Sequence, residues 1–168
     1  IYCLVGRSGS GKTTVAKALE KDYNVIQSYT TRKPRDADEW GHTFVSEMTY
    51  DEFIRAVHDV IAYNYFDGNH YFATKQQYEG KGKSIYVIDP FGAEQLKKAG
   101  VRVVIIFLYV SASEAYCRMA GERGQGKALE RVEHDKNIFS AVNCDYAVDA
   151  EGTKAEVLAR VKRIIERD

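Results

Sequence analysis

Gly6-Arg7-Ser8-Gly9-Ser10-Gly11-Lys12-Thr13 is the stretch whose reading decides the fold. It fits the spacing GxxxxGK[ST], and the physics of that spacing is anion binding. Glycines let the backbone curl until several N–H groups point into one concavity. A helix opening directly after the loop adds unpaired N–H groups and a positive dipole end. The Lys12 ammonium can then reach the β- and γ-phosphates of a nucleotide, and the Thr13 hydroxyl can ligate Mg²⁺. The other reading of such a stretch is a glycine-rich turn that binds nothing, and the flanks argue against it. Ile1-Tyr2-Cys3-Leu4-Val5 is a short apolar run of the kind that forms a buried parallel strand. After the loop, Val15, Ala18 and Leu19 recur at helical spacing and share a face. Strand, glycine loop and helix is the order the motif needs. Gly6, Ser8, Gly9, Ser10, Gly11, Lys12, Thr13 and Thr14 are therefore the candidate ATP-phosphate site.

The chain has 168 residues, enough for one α/β domain with a sizeable core and a small inserted lobe. Lysine plus arginine and aspartate plus glutamate both number 24, so the net charge is zero. That balance gives no global reason to expect nucleic acid or a membrane surface as a partner. Cys3, Cys117 and Cys144 are odd in number and lack metal-ligand spacing, so they read as buried thiols in a reducing compartment. The longest apolar run, residues 103–110, is far too short to span a bilayer, and no signal-peptide pattern is visible. A soluble, cytoplasmic protein is the expectation.

Working outward, Val25-Ile26 reads as a second strand, and 28–42 as a polar stretch. Thr43-Phe44-Val45 reads as a strand, and Thr49-x-x-Glu52 as a capping box opening a helix with Phe53, Ala56 and Val57 on its apolar face. Residues 60–65 and 70–73 are aromatic and β-prone around the turn Asp67-Gly68-Asn69. The segment 28–83 is thus a small α+β lobe without a parallel-sheet pattern. Strand and helix then alternate: strand 84–89, helix 91–99 stopped by Gly100, strand 101–110, and a helix from the Ser111-x-x-Glu114 box to about 120. Glycine-rich 121–127 suits a mobile loop and is followed by a helix over 128–139. A strand at 145–148 and a helix after the Thr153-x-x-Glu156 box end the chain. This alternation predicts a parallel sheet built from 1–27 and 84–168, with ligands at its carboxyl edge.

Three further constellations carry chemistry. Thr30-Thr31-Arg32-Lys33-Pro34-Arg35 places two arginines three apart on an extended segment, able to fork around a phosphate. Taken alone, the cluster reads as well as a solvated surface run. Arg123 lies between glycines and Arg131 in the helix after it; phosphoryl transfer needs such cations beside the transferring group, with Arg118 a further candidate. Asp89 ends an apolar strand, where it can face a substrate, cap the next helix, or do both. Asp89-Pro90-Phe91-Gly92 fits DxxG, but no NKxD occurs anywhere in the chain, so a GTPase is set aside. The four histidines have no metal spacing, and His42 is the one near the basic cluster.

Together these residues resemble the guanylate kinase family. The resemblance rests on residues 6–14, 30–35, Phe44-Val45-Ser46, Gly68-Asn69-His70-Tyr71, 88–93 and Glu122-Arg123-Gly124. It implies a three-layer P-loop kinase fold with a central parallel sheet, an inserted nucleoside-monophosphate lobe (28–83) and a mobile lid near 121–128. It further implies that Arg32, Arg35 and Tyr71 hold the acceptor phosphate, while Lys12, Arg123 and Arg131 serve the transferring γ-phosphate. The expected partners are Mg·ATP, with Thr13 toward the metal, and a nucleoside monophosphate. The chain departs from the family pattern on the base side. Ala62 stands where a glutamate reads guanine, Tyr71-Phe72-Ala73 replaces Tyr-Gly-Ser/Thr, and His42 replaces a phosphate-binding tyrosine. The segment between Arg35 and Phe44 is also shorter. With Asp89 as the remaining anchor and Phe72 adding bulk, the expected pocket is tighter, less polar and weaker in guanine discrimination. The expected activity is ATP-dependent phosphorylation of GMP or dGMP. The alternatives are another (d)NMP as acceptor, or a binding module without turnover.

Overall fold

The computed structural model describes residues 1–56 and 59–168, apart from the side chains of Phe53, Ala56, Glu122 and Arg123. The first half of the chain runs β1 (Tyr2–Val5), α1 (Lys12–Leu19), β2 (Asn24–Ile26), β3 (Ser28–Thr30), β4 (His42–Phe44), α2 (Glu47–Ala56), β5 (Val60–Phe66) and β6 (Asn69–Thr74). The second half runs β7 (Ser84–Val87), α3 (Pro90–Lys98), β8 (Val104–Tyr109), α4 (Ala112–Arg123), α5 (Gln125–Ile138), β9 (Tyr146–Asp149) and α6 (Lys154–Arg167).

Five strands form a parallel sheet in the order β2-β7-β1-β8-β9. β1 is its centre, with Cys3 paired to Tyr86 on one side and to Ile105 on the other. Side chains alternate along β1. Tyr2 and Leu4 pack with Val15 and Leu19 of α1 and with Val157, Val161 and Ile165 of α6. Cys3 and Val5 face the opposite layer, which holds Ala93 and Leu96 of α3. Val157, Val161 and Ile165 recur every four residues, and each such burial contributes roughly 1.5–3 kcal/mol. The Thr153 hydroxyl accepts from the Glu156 N–H while the Glu156 carboxylate takes the Thr153 N–H, so α6 opens where its capping box predicts. Because β1 lies between β7 and β8, the loop leaving it emerges in the middle of the carboxyl edge, beside Asp89 and Ser111.

A second sheet, ordered β4-β3-β6-β5, is built entirely from residues inside 28–83. Asp67 and Gly68 form its two-residue hairpin turn, both at positive φ (50° and 73°). Three expectations need correction here. Ser28–Thr30 is a strand within the stretch read as polar; Thr30 is fully buried, and its polar residues mask an edge-to-edge pairing that only the fold supplies. It runs parallel to β4, so the lobe does contain a parallel pair. The helix after β4 begins at Glu47, because the Ser46 hydroxyl accepts the Thr49 N–H at 3.1 Å and is the effective cap. The expected face of Phe53, Ala56 and Val57 lies outside the described residues. β5 of the second sheet is tied to α3 of the core by a reciprocal pair: the Tyr63 N–H donates to Gln95 Oε1 at 2.7 Å, and Gln95 Nε2 donates to the Tyr63 carbonyl at 3.0 Å.

The glycine-rich stretch near 121–127 is not a loop. α4 continues to Arg123, α5 begins at Gln125, and the only break is Gly124 at φ 82°, ψ 155°. That conformation is open to glycine and is strained for any other residue. Of the three thiols only Cys3 is fully buried, and burial pushes it up to about 12. Cys117 is exposed, since α4 turns Ala115 and Met119 inward, and Cys144 is half-buried.

Candidate active site

The phosphate loop is shaped by close approach. Gly9 has φ +79°, and a Cβ there would lie 2.8 Å from the Ala115 carbonyl oxygen of α4, so no larger residue fits. The Ser10 N–H turns inward onto the Arg7 carbonyl at 3.1 Å. α1 starts at Lys12 with no acidic residue in its first turn, so no side chain of that turn opposes an anion at its N-terminus. Lys12 Nζ donates to the carbonyls of Gly6 (2.6 Å) and Arg7 (2.9 Å) and to Ser10 Oγ (3.4 Å). The ammonium thus rests over its own loop.

Two cavities open at the sheet's carboxyl edge. One of about 680 Å³ lies between the second sheet and the core, lined among others by Arg32, Ala62, Asn64, Tyr71 and Asp89. The other, about 1020 Å³, lies over the phosphate loop, with Gly9, Gly11, Thr13, Thr14 and Arg118 in its wall. Ser8, Lys12, Arg35, His42, Val87 and Arg131 line both. Residues far apart in sequence therefore meet at one junction, and every described candidate reaches one cavity or both.

Both basic-cluster arginines are held by one carboxylate that sequence reasoning passed over. Glu39 accepts from Arg32 Nη1 (3.1 Å) and Nη2 (2.7 Å) and from the Arg35 N–H (2.7 Å), with Arg35 Nη1 3.6 Å away. The Arg32 hydrogen bonds hold the Glu39 carboxyl down to about 2, with the Arg35 N–H adding to the effect against the opposing pull of burial. Arg32 Nε and His42 Nδ1 are buried and find no hydrogen-bond partner among the described residues. Burial first, then the Arg32 charge, lowers the His42 pKa. Its ring meets Tyr71 edge-on at 5.8 Å.

On the proposed base side, Asp89 caps the next helix and also lines the cavity. Oδ1 accepts from the Gly92 N–H at 2.9 Å, capping α3, and Oδ2 accepts from Asn64 Nδ2 at 3.1 Å at the cavity wall. Asn64 lines the cavity, whereas Asp67 stays in the exposed turn. Ala62 lines the cavity as expected. Phe72 and Ala73 are not in its wall. Strand alternation turns Phe72 away from Tyr71 to stack on Tyr29 at 5.1 Å, and Ala73 is buried in the core layer, so the expected narrowing by Phe72 is absent. Ser28 and Tyr86, not foreseen, share a buried hydroxyl–hydroxyl bond of 2.9 Å in the same wall.

Arg131 sits at the junction with its guanidinium carbon 5.4 Å from the Phe66 ring centroid. Arg118 serves as a brace: it pairs with Glu114 and donates to the Gly9 carbonyl (3.2 Å) and the Ala150 carbonyl (2.9 Å). The Arg123 side chain lies outside the described residues. Among the described residues no cluster of three or more His, Cys, Asp or Glu could hold a metal ion by itself. Nor is any helix among them long and apolar enough to cross a membrane. Thr13 at the start of α1 suits a magnesium ion that arrives with nucleotide phosphates and keeps most of its oxygen ligands from them and from water.

The profile of the guanylate kinase family matches residues 1–168. Among solved structures, the guanylate kinase of Anaplasma phagocytophilum superposes with a TM-score of 0.68 at 23% identity, over 99% of this chain and 84% of that one. The protein APE1195 superposes at 0.51 with 16% identity, over 99% and 94%. These two likenesses concern the fold. No curated protein sequence matches the chain.

Proposed function

The chain belongs to the guanylate kinase family, and from that premise we propose that it transfers the γ-phosphoryl group of Mg·ATP to the phosphate of a nucleoside monophosphate, GMP or dGMP first. The observation that carries this reading is the junction of the two cavities. Lys12, Arg35, His42 and Arg131 line both, and Arg32 Nε and His42 Nδ1, buried with no hydrogen-bond partner among the described residues, suit an anionic ligand beside them.

In this reading ATP phosphates lie on the loop, and Lys12 swings from the Gly6 and Arg7 carbonyls to the β- and γ-phosphates. Thr13 would hold the magnesium that accompanies ATP, and that ion would supply charge neutralisation at the phosphates. Segment 28–83 carries the acceptor. Arg32 and Arg35 turn from Glu39 to its phosphate, joined by Tyr71 and His42. Arg131, and Arg123 from the proposed lid at 121–128, neutralise the group in flight. The attacking oxygen is already anionic, so no strong base is required, and catalysis is alignment plus charge neutralisation. Guanine presents N1–H and N2–H donors to Asp89 and to the Asn64 amide oxygen. Ala62 supplies no third acceptor, and that favours a broader base preference as the second reading.

Coupled ADP release with GMP, dGMP, AMP, CMP and UMP under one condition tests the proposal. Turnover with at least one acceptor is expected. Nucleotide binding with no ADP release from any acceptor would leave a binding module.

A further inference from the structure

Asp135 is the one charged residue that is almost fully buried among the described residues, and the transfer chemistry above does not use it. Its Oδ2 accepts the Ser8 N–H of the phosphate loop at 2.6 Å, across 127 positions of sequence, and its Oδ1 lies 3.1 Å from His134 Nδ1. A buried carboxylate is costly unless strongly hydrogen-bonded, and a negative charge beside a phosphate site opposes the ligand as well. The location therefore needs a compensating gain.

Helix α5 shows what that gain is. Of its 14 residues only Ala128 and Asp135 are buried among those described. The helix has almost no apolar anchor over its second half. Arg131 lies one turn before Asp135, on the same face. From the other side, Arg118 of α4 donates to the Gly9 carbonyl. Adjoining loop residues are thus gripped by opposite charges on complementary backbone groups. Ser8 precedes the helix-opening residues Lys12, Thr13 and Thr14, so the grip spares the N–H groups of that helix end.

We infer that Asp135 is a positioning residue, fastening α5 to the phosphate loop so that Arg131 stands over the junction of the two cavities. The inference rests on the kinase reading for the role of Arg131, and on geometry alone for the fastening.

Two measurements test it. Hydrogen exchange reads the fastening whether or not the protein turns over. In Asp135→Ala the amides of residues 132–138 should lose protection while those of β1 and α6 keep theirs. Asp135→Asn, which retains an oxygen for the Ser8 N–H, should stay protected. Kinetics with ATP and the best acceptor of the panel read the positioning. Asp135→Ala should lower kcat about 10- to 100-fold with both KM values little changed, and Asp135→Asn should recover most of it. The double variant Arg131→Ala/Asp135→Ala should be no slower than Arg131→Ala, within about twofold. Multiplicative losses in the double variant, or tighter ATP binding in Asp135→Ala, would overturn the positioning role. Unchanged exchange would overturn the fastening. A wild-type protein silent with every acceptor would remove the kinase reading and leave the exchange result to decide the fastening.

Discussion

The two proposed anion sites of this cleft are held ready in opposite ways. The phosphate loop is a backbone site, fixed by Gly9 against Ala115 and gripped at Ser8 and Gly9 by Asp135 and Arg118. The Lys12 ammonium leans on loop carbonyls. The acceptor side is a side-chain site, in which Arg32 and Arg35 close on Glu39. A backbone site needs no counter-ion when empty, because N–H groups carry only partial charge. Two guanidinium groups side by side repel each other, and an internal carboxylate removes that cost until a phosphate takes its place. The first site should therefore fail all at once when its cation is removed, and the second in degrees.

Lys12→Ala tests the first half of that contrast and carries the largest expected effect. Loss of the Lys12 ammonium should lower kcat at least about a hundredfold, with circular dichroism and melting temperature close to wild type. Turnover at the wild-type rate in that variant would end the kinase reading. Arg32→Ala tests the second half. Arg32 lines only the acceptor cavity, so the KM for the monophosphate should rise about 10- to 100-fold, the scale of a lost charged hydrogen bond, while the KM for ATP stays put. Equal effects on both substrates would return the arginines to a solvated surface role.

The same contrast explains what the sequence could reveal. A backbone site is written locally, as glycine spacing between an apolar strand and a helix, and the structure shows that order at residues 2–19. Caps at Ser111, Asp89 and Thr153 are local too, and all three form. At Ser46-x-x-Thr49-x-x-Glu52 two overlapping hydroxyl caps compete, and local chemistry cannot choose between them; tertiary placement selects Ser46. Side-chain sites depend on partners. Glu39 lies four residues from Arg35 and could have been paired with it by spacing. Asp135 meets Ser8 across 127 positions, a contact that only the tertiary fold supplies. The segment 121–127 reads as a loop from its glycines, although Gly121 and Gly126 sit within helices and only Gly124 breaks them.

A smaller effect is expected in base choice. Asp89 divides its oxygens between the Gly92 N–H and Asn64, so in the proposed complex the guanine edge would meet an amide and a partly engaged carboxylate. Discrimination of GMP over AMP should fall short of a site with a full complement of acceptors by roughly 1–3 kcal/mol in kcat/KM. Asn64→Ala should reduce it further without touching the KM for ATP. A GMP preference of many thousandfold that survives Asn64→Ala would place the base elsewhere.

The smallest effect is acid weakening of the acceptor fork, and its direction follows from two shifts. Glu39 ionises near 2 in the fold against an ordinary 4.5. Its stabilisation is full above 4.5 and is lost as pH falls toward 2, because the unfolded chain binds the proton first. His42 is lowered from an ordinary 6.5 by burial and then by Arg32. The unfolded chain again protonates first, so its contribution is full above 6.5 and declines below it. Arg32, Arg35 and Glu39 are the charged neighbours that set this balance, and Tyr71 faces the ring from β6. Melting temperature should therefore drop as pH falls below 6.5 in the wild type, and that drop should flatten in His42→Gln. Below pH 4.5 a second decline should appear that Glu39→Gln lacks, since an amide keeps an acceptor for Arg32 but has no proton to gain. Added monophosphate should oppose the upper decline, because a dianion beside His42 stabilises its protonated ring and raises its pKa in the complex. A melting profile with the same slope in His42→Gln as in the wild type would show that His42 does not sense pH in the empty fork.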